Sequence, residues 1–290
     1  MTQGRSNTHD SMRACLYAGV IMPELPEVET TVRGLARFLE GERLQHVRVN
    51  RPDLRRPFPP DLVQALTGAT VTQMGRRAKY GLIHTDRGRT AVFHLGMSGR
   101  WRIDPEEIGK HDHLVIETAK NRFALNDARR FGSVDLVETD ELAAWPQFAA
   151  MGPEPLGGEL TATHLKSALA GRRQAIKLLL LDQRIVAGLG NIYVCEALHR
   201  AGISPERPGG KVSRAELDRL VPAIAQVLEE SIAAGGSTLR DYARPNGELG
   251  YFAAHFDVYG REGMTCRCGT AIRRIVQGGR SSWYCPVCQR

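Results

Sequence analysis

The sequence predicts an α+β protein with a β-sandwich or barrel in its first half, a helical region in its second half and a small zinc ribbon at the C-terminus. Many short strand-like segments separated by Gly, Asp and Asn are typical of a sandwich or a barrel. Beyond residue 160 the apolar residues recur at helical spacing. Four of the six cysteines follow residue 265, in a pattern that is typical of zinc ribbons.

The first predicted element is an amphipathic helix at residues 27–40, EVETTVRGLARFLE, with Pro26 at its start. Apolar side chains at helical spacing would form its buried face: Val28, Val32, Leu35 and Leu39. Carboxylates in a first turn complement the helix dipole. This accounts for Glu27 and Glu29 but gives no reason for Pro23.

Residues 1–21 are expected to be a disordered extension or the product of a misplaced start, because Met22 followed by proline is a place where a chain could begin. Their short apolar patch faintly resembles a signal peptide. However, no small-residue cleavage site precedes MPELPE, which argues against secretion.

The strands are predicted in VTQMG, YGLIHT, TAVFHLG, HLVIET, RFALND and GSVDLVE. MGPEPLGG at 151–158 is rich in Pro and Gly, which predicts a linker. Helices follow in HLKSALAG, AIKLLLLD, GNIYVCEALHRAG and RAELDRLVPAIAQVLEESIAAG. The expected divisions are 1–21, 22–150 for the β-domain, 151–255 for the helical domain and 256–290 for the zinc finger.

Composition narrows the class of partner. Among 290 residues, 39 Lys and Arg outnumber 32 Asp and Glu, and the isoelectric point is near 9.3. A basic balance favours a polyanionic partner such as nucleic acid. No apolar run approaches the roughly 18 residues of a membrane span, so no membrane association is expected.

The C-terminal cysteines form CRC at Cys266 and Cys268 and CPVC at Cys285 and Cys288. Four thiolates on two tight turns can surround one structural Zn²⁺, and so small a segment could hardly keep its shape without the metal. The alternative is a pair of disulfides, although nothing else in the sequence indicates an oxidising compartment. The first knuckle is one residue shorter than the usual C-x-x-C, which predicts weaker zinc binding.

A glycine-rich corner occurs in DQRIVAGLGNIY. A dinucleotide fingerprint would need a third glycine and a parallel sheet, and the sequence shows neither. A turn that opens a helix at Asn191 could instead accept a phosphate, with Asn191 as the N-cap or as a phosphate donor. Arg172 and Arg173 upstream would add cationic contacts to a nucleic-acid backbone. A plain helix hairpin is the alternative.

Nine segments in this order resemble the bacterial formamidopyrimidine-DNA glycosylases: MPELPEVET, GRRAKYGLI, FHLGMSGR, KHDH, DARRFG, DQRIVAGLGNIY, GGSTLRDY, VYGREG and IVQGGRSSWYCPVCQ. The resemblance extends from Met22 to Arg290. It implies a base-excision-repair enzyme that removes oxidised purines and then cleaves the strand as an AP lyase. It also implies an N-terminal β-sandwich, a helix-two-turn-helix domain and a zinc finger, with double-stranded DNA bound in the cleft between them.

The resemblance also implies a chemistry for the opening stretch. If Met22 is removed, the secondary amine of Pro23 can attack the sugar C1′ of a damaged nucleotide, because an α-amine with a pKa of about 8 is partly neutral near pH 7. Glu24 matches the acid/base group at the deoxyribose, while Glu27 would orient the site. Lys79 and Arg280 match cations that are linked to phosphate binding and to the elimination steps.

The remaining matched residues concern base extrusion, which such an enzyme requires. Met97 would fill the void in the stack, Arg129 would face the orphaned cytosine and Phe131 would wedge beside it. From the pattern alone, Met97 and Phe131 would instead be core residues. Ala128 stands where the family usually has proline, which predicts a less rigid loop. His111 matches a DNA-contacting position.

Two other functions remain open. One is an endonuclease VIII type glycosylase for oxidised pyrimidines, although the loop GGSTLRDYARPNGELGYF resembles the purine-specific branch. The other is a catalytically silent zinc-containing DNA-binding protein, which would result if Pro23 is never exposed as an amine. The resemblance further implies a monomer in the cytoplasm, associated with the nucleoid.

Overall fold

The computed structural model describes residues 23–236 and 256–290. Seven helices and ten strands lie in these ranges: α1 Leu25–Leu39, β1 His46–Val49, α2 Leu62–Leu66, β2 Val71–Arg77, β3 Tyr80–Thr85, β4 Arg89–His94, β5 Arg100–Ile103, β6 Asp112–Glu117, β7 Arg122–Asn126, β8 Ser133–Glu138, α3 Pro146–Ala149, α4 Ala162–Leu169, α5 Ile176–Leu180, α6 Asn191–Ala201, α7 Arg214–Ala233, β9 Arg273–Gln277 and β10 Arg280–Tyr284. None of the helices in the described ranges is long and apolar enough to cross a membrane.

The predicted sandwich is present as two four-stranded antiparallel sheets. One has the order β1-β6-β7-β5 and the other the order β2-β3-β4-β8. All six predicted segments are strands, whereas β1 and β5 escape the pattern because each has only four residues. Both are edge strands that the neighbouring strand defines, as in the pair Trp101 and Leu125. The apolar faces of the sheets and α1 share one core.

Helix α1 joins this core to the helical region. It begins at Leu25, two residues before the predicted start, because proline is tolerated in a first turn. Leu25 packs into the core of the helical region, whereas Val28 and Leu35 pack into the core of the sandwich. The amphipathic helix therefore buries residues on both sides, and its N-terminus lies at the junction of the two regions.

The helical region contains the four predicted helices, of which α6 and α7 form the centre. Ser213 and Glu216 make a capping box at the start of α7, and Gly202 ends α6 with a φ of 73°. Residues 151–158 lie between α3 and α4, outside any helix or strand, and pack closely on the turn between α5 and α6. A Cβ on Gly152 would lie 2.7 Å from the carbonyl carbon of Ile185.

The zinc hairpin is formed by β9 and β10, which pair from Gln277 with Arg280 to Arg273 with Tyr284. Gly278 and Gly279 both have positive φ, 55° and 74°, as a two-residue hairpin turn of this hand requires. The hairpin packs on α6 through a small core that includes Cys195, which is therefore a buried helix residue. The purine-branch loop begins inside the described ranges, but residues 237–252 of it lie outside them, as do Cys15 and residues 1–22.

Candidate active site

Glu24 lies at the junction of the two regions, where it precedes α1 and meets the N-terminus of α6. Its side chain is buried, and Oε1 accepts a hydrogen bond from the backbone N–H of Ile192 at 3.1 Å. A Cβ on Gly190 would lie 2.1 Å from the carboxyl carbon of Glu24. The amide-rich corner therefore holds a carboxylate of this chain. Gly190, rather than Asn191, is the N-cap, so the N-cap role predicted for Asn191 is wrong.

Burial raises the pKa of Glu24 to about 7, although the nearby Lys79 charge and the α6 amides lower it. Near neutral pH this carboxyl group is therefore present in both protonation states. Its Oε2 atom is buried and has no hydrogen-bond partner among the described residues. A group with these properties can both give and accept a proton at a substrate placed against Oε2.

Glu27 fixes the backbone at this corner. Its Oε2 accepts a hydrogen bond from the backbone N–H of Glu24 at 3.0 Å, and its Oε1 accepts one from the hydroxyl of Tyr193 at 2.8 Å. Tyr193 is itself 2.7 Å from the hydroxyl of Ser231 on α7. These buried contacts connect α1, α6 and α7, so Glu27 orients the segment that contains Pro23, which is also buried.

Lys79 approaches Glu24 from the two-residue turn between β2 and β3. Burial lowers the pKa of Lys79, and the Arg280 charge acts in the same direction, whereas the Glu24 charge opposes it. The turn has an unusual conformation, because Ala78 has a φ of 52°. The backbone N–H of Ala78 donates to Oε1 of Glu154 at 2.6 Å, and Arg76 pairs with the same carboxylate at 2.8 Å. The connecting segment thus supports the turn that presents Lys79.

Arg280 reaches the same region from the start of β10, where it is exposed. The hairpin beneath it is held by Lys177, a fully buried side chain whose Nζ donates to Ser281 O at 3.0 Å and to Ser282 Oγ at 2.6 Å. Asn191 Nδ2 also donates to Ser281 O, at 3.1 Å. Lys177 is absent from the residues predicted above, although a lysine inside the apolar run AIKLLLLD is a detectable signal.

The three residues predicted to open the base stack, Met97, Arg129 and Phe131, lie on two loops of the sandwich, called the wedge loops below. Phe131 is 43% exposed, so the alternative that it is a core residue is wrong. The guanidinium carbon of Arg129 lies 5.0 Å from the centre of the Phe131 ring. Met97 is half-buried in the neighbouring turn. A Cβ on Gly96 would lie 2.3 Å from the carbonyl carbon of Phe131, so the two loops touch through their backbones.

Two histidines flank these loops. His111 is partly buried, and its carbonyl accepts the backbone N–H of Asp127 at 3.0 Å. His94, which is also absent from the predicted residues, accepts the backbone N–H of Gly96 at Nδ1, 3.0 Å away. Burial and the charges of Lys79, Arg55 and Arg56 lower the pKa of His94 to about 4. The ring is therefore neutral at pH 7 with its proton on Nε2, which makes it a hydrogen-bond donor.

His94 also lines a cavity of about 300 Å³ together with Arg55, Arg56, Tyr80, Phe131, Ser133 and Gln147. Arg172 does not line this cavity and is exposed after the end of α4. Among the described residues, no hydrogen bond joins Arg172 to the wedge loops. Its predicted contact with DNA remains a prediction.

The four predicted zinc ligands come together. The sulfur atoms of Cys266, Cys268, Cys285 and Cys288 all lie within 4.8 Å of one another. Sulfurs around a tetrahedral Zn²⁺ with bonds of about 2.3 Å are about 3.8 Å apart, and two of the observed separations are 3.4 and 3.9 Å. These residues fit one structural zinc ion. The shortened knuckle still places Cys266 and Cys268 correctly, and His199 Nε2 lies 3.6 Å from the Cys266 sulfur.

Comparison with known families matches three consecutive parts of the chain. Residues 22–134 match the formamidopyrimidine-DNA glycosylase N-terminal domain, and residues 151–243 match the H2TH domain of the same enzymes. Residues 267–290 match a zinc finger found in FPG and IleRS.

Curated relatives and solved structures give the same result. Formamidopyrimidine-DNA glycosylases of Novosphingobium aromaticivorans and Erythrobacter litoralis are 74% and 69% identical over 270 and 271 residues, covering 93% of this chain and the full length of each relative. The Lactococcus lactis enzyme bound to abasic-site DNA is 33% identical with a TM-score of 0.86. The same enzyme bound to N7-benzyl-Fapy-dG DNA is 33% identical with a TM-score of 0.85. Both matches cover 92% of this chain and the full length of the matched chain.

Proposed function

Because the chain belongs to the formamidopyrimidine-DNA glycosylase family, we propose that it excises oxidised purines such as 8-oxoguanine and formamidopyrimidines from double-stranded DNA and then cleaves the strand as an AP lyase. The observation that carries this proposal is the corner at Glu24. There, a buried carboxyl group with a pKa near 7, Lys79 and Arg280 converge beside Pro23. One structural zinc holds the hairpin that presents Arg280.

In the proposed reaction, the unprotonated Pro23 amine attacks C1′ of the damaged nucleotide. The bond from C1′ to the base breaks, and the base leaves with the electron pair and takes up the proton of the Pro23 nitrogen. The C1′–O4′ bond then breaks as O4′ accepts a proton, so the opened sugar remains as an iminium adduct on Pro23. Glu24 serves as the acid/base group at the deoxyribose. Its raised pKa supports this role, because a group that titrates near the working pH can transfer protons in both directions.

The cations have separate proposed roles. Lys79 and Arg280 clamp phosphates on either side of the lesion and assist β- and δ-elimination, which releases the sugar from the two phosphates. His94 adds a neutral N–H donor beside Lys79. Met97, Arg129 and Phe131 hold the duplex open, while His111, Arg172 and Asn191 make further DNA contacts. The exposure of Phe131 and Arg129 supports their part in this assignment.

The lesion class can be tested directly. We expect 8-oxoguanine opposite cytosine to be released at least about tenfold faster than thymine glycol, which corresponds to about 1.4 kcal/mol of transition-state discrimination. Single-turnover assays on two duplexes that differ only at the lesion would measure this ratio. Equal rates or a pyrimidine preference would move the assignment to the endonuclease VIII type.

The site of action follows from the family. We propose that the protein acts as a monomer on the nucleoid in the cytoplasm, where its substrate lies. Size-exclusion chromatography of the protein with and without lesion-containing DNA would test the stoichiometry. A complex with two protein chains per lesion would contradict it.

A further inference from the structure

Asp127 occupies the point where the three DNA-facing segments of the sandwich meet. It directly follows β7 and is fully buried. Its backbone N–H donates to His111 O at 3.0 Å, and its carbonyl accepts from the ring Nε2 of His113 at 2.9 Å. The main chain of Asp127 is therefore tied to the segment that contains His111.

The side chain of Asp127 joins the other two segments. Oδ1 accepts the hydroxyl of Ser98 at 2.7 Å, and Oδ2 accepts the backbone N–H of Gly132 at 2.8 Å. Ser98 follows Met97, and Gly132 follows Phe131. One buried carboxylate thus binds both loops of the wedge, and hydrogen bonds to an ionised acceptor are stronger than neutral ones.

A relay of donors extends this connection to Arg129. The backbone N–H of Arg129 donates to Ser98 Oγ at 3.3 Å, and the same hydroxyl donates to Asp127. The loop also contains Arg130 with a φ of 57°, a conformation that non-glycine residues seldom adopt. The strained conformation at Arg130 has to be stabilised by the residues where the loop begins. Ala128 does not supply the rigidity of a proline there.

We propose that Asp127 is a positioning residue that holds Met97, Arg129 and Phe131 as one rigid wedge. This inference rests on the proposed function, because it concerns the extrusion step of that reaction. Side chains that enter a base stack must resist the stack's tendency to close, which a loose loop cannot do. Loss of the carboxylate should therefore slow base extrusion while the chemistry at Glu24 persists.

The test compares two substrates with three variants and one control variant, all made in the chain form that is active for the unmodified protein. We expect Asp127→Ala to slow release of 8-oxoguanine opposite cytosine by roughly tenfold to a hundredfold. Strand cleavage at a preformed abasic site, which has no base to extrude, should stay within about threefold. A 2-aminopurine beside the lesion should show slower unstacking in stopped-flow fluorescence.

Conservative variants distinguish positioning from general damage. Asp127→Asn keeps an acceptor for Gly132 and can donate to Ser98, so it should restore unstacking to within about threefold of the unmodified rate. Ser98→Ala breaks only the link between the loops and should give an intermediate rate. Asp104→Ala is the stability control, because Asp104 accepts the backbone N–H of Arg122 at the opposite end of β7 and should leave unstacking unchanged.

The outcomes separate the inference from the proposed function. If the unmodified protein cuts neither substrate, the proposed function is wrong. If it cuts both and D127A matches it on both, or loses both equally, then Asp127 does not position the wedge. If D127A does not fold, an unchanged unstacking rate in S98A would still contradict the inference.

Discussion

The Glu24 corner and the wedge loops use buried carboxylates in opposite ways. At the corner, the buried group is itself the proposed reactant, and its pKa is raised to about 7. At the wedge, the buried Asp127 only supports its neighbours, and the proposed working side chain Phe131 is 43% exposed. A group that transfers protons needs a pKa near the working pH. A side chain that enters a stack of nucleobases instead needs a rigid backbone that holds it in place. Both carboxyl groups are buried, so the two uses differ in what surrounds each group and not in its depth.

The largest expected effect separates these two regions. Glu24→Gln should lower base release by about a thousandfold, within the usual range of general acid–base catalysis. Binding to an uncleavable abasic-site duplex should remain within about threefold, since the wedge is intact. Single-turnover kinetics and fluorescence anisotropy would measure the two quantities. Glu42→Gln, at a surface ion pair with Lys120, is the control, and a similar loss in that variant would contradict the assignment.

The raised pKa of Glu24 also predicts a pH-dependent stability. The folded protein keeps the proton up to about pH 7, while the unfolded chain loses it near the ordinary glutamate pKa of 4.5. Stability from this group is therefore fully present below pH 4.5 and is lost as the pH rises to 7. Glu24→Gln should gain up to about 3 kcal/mol in unfolding free energy over the unmodified protein between pH 5 and pH 8. Denaturant titrations at pH 5 and pH 8 would measure the unfolding free energies of the variant and the unmodified protein. If the difference between the two proteins is the same at both pH values, the pKa of Glu24 is not raised.

Zinc removal tests the β9–β10 hairpin, which presents Arg280 to the Glu24 corner and is not part of the wedge loops. A chelator that strips the metal should free the hairpin and with it Arg280, which should weaken DNA binding by roughly tenfold and flatten the log-log salt slope by roughly 0.9 for each lost phosphate contact. Unstacking by the wedge should change less than strand cleavage. If stripping leaves the affinity and the slope unaltered, the hairpin does not bind phosphate.

The shortened knuckle allows a sharper version of this test. Inserting one residue between Cys266 and Cys268 should strengthen zinc retention against a competing chelator, because it restores the usual spacing. Weaker retention in the insertion variant would show that the short knuckle is already well matched to the metal.

The smallest expected effect concerns the wedge alone. Phe131→Ala should slow base release by roughly tenfold and should change the unfolding free energy by less than about 1 kcal/mol, because the ring is largely exposed. Phe38→Ala is a matched control, since Phe38 is 39% exposed on α1. Only the Phe131 variant should slow release. If both variants behave alike, the ring is a surface residue without a role in extrusion.

Much of this arrangement could be predicted from local pattern. Alternation located six strands, helical spacing located five helices, and cysteine spacing located the metal cluster. Long-range contacts could not be predicted in this way. Glu154 supports Ala78 from 76 positions away, and Lys177 binds Ser282 across 105 positions. A charged residue inside an apolar helix indicates a buried charge, but the sequence does not show which partner forms hydrogen bonds with it.

Edge strands and turns show the same limit. Four residues such as RWRI carry too little alternation to predict a strand, and β5 exists because β7 pairs with it. The corner at Gly190 is predicted to accept a phosphate, but in the structure the backbone N–H of Ile192 donates to the carboxyl group of Glu24 in the same chain. Helix α1 must pack on α6 before that contact can form.

The central claim is that Pro23 acts through a free secondary amine. Borohydride reduces an iminium to a stable covalent link, so the most direct measurement is trapping on DNA that contains 8-oxoguanine opposite cytosine, with the form that begins at Pro23 and the 290-residue form side by side. The account predicts a covalent protein–DNA product from the form that begins at Pro23 and none from the longer form, in which that nitrogen is an amide. An equal yield from the longer form, with intact mass proving that it is unprocessed, would contradict it.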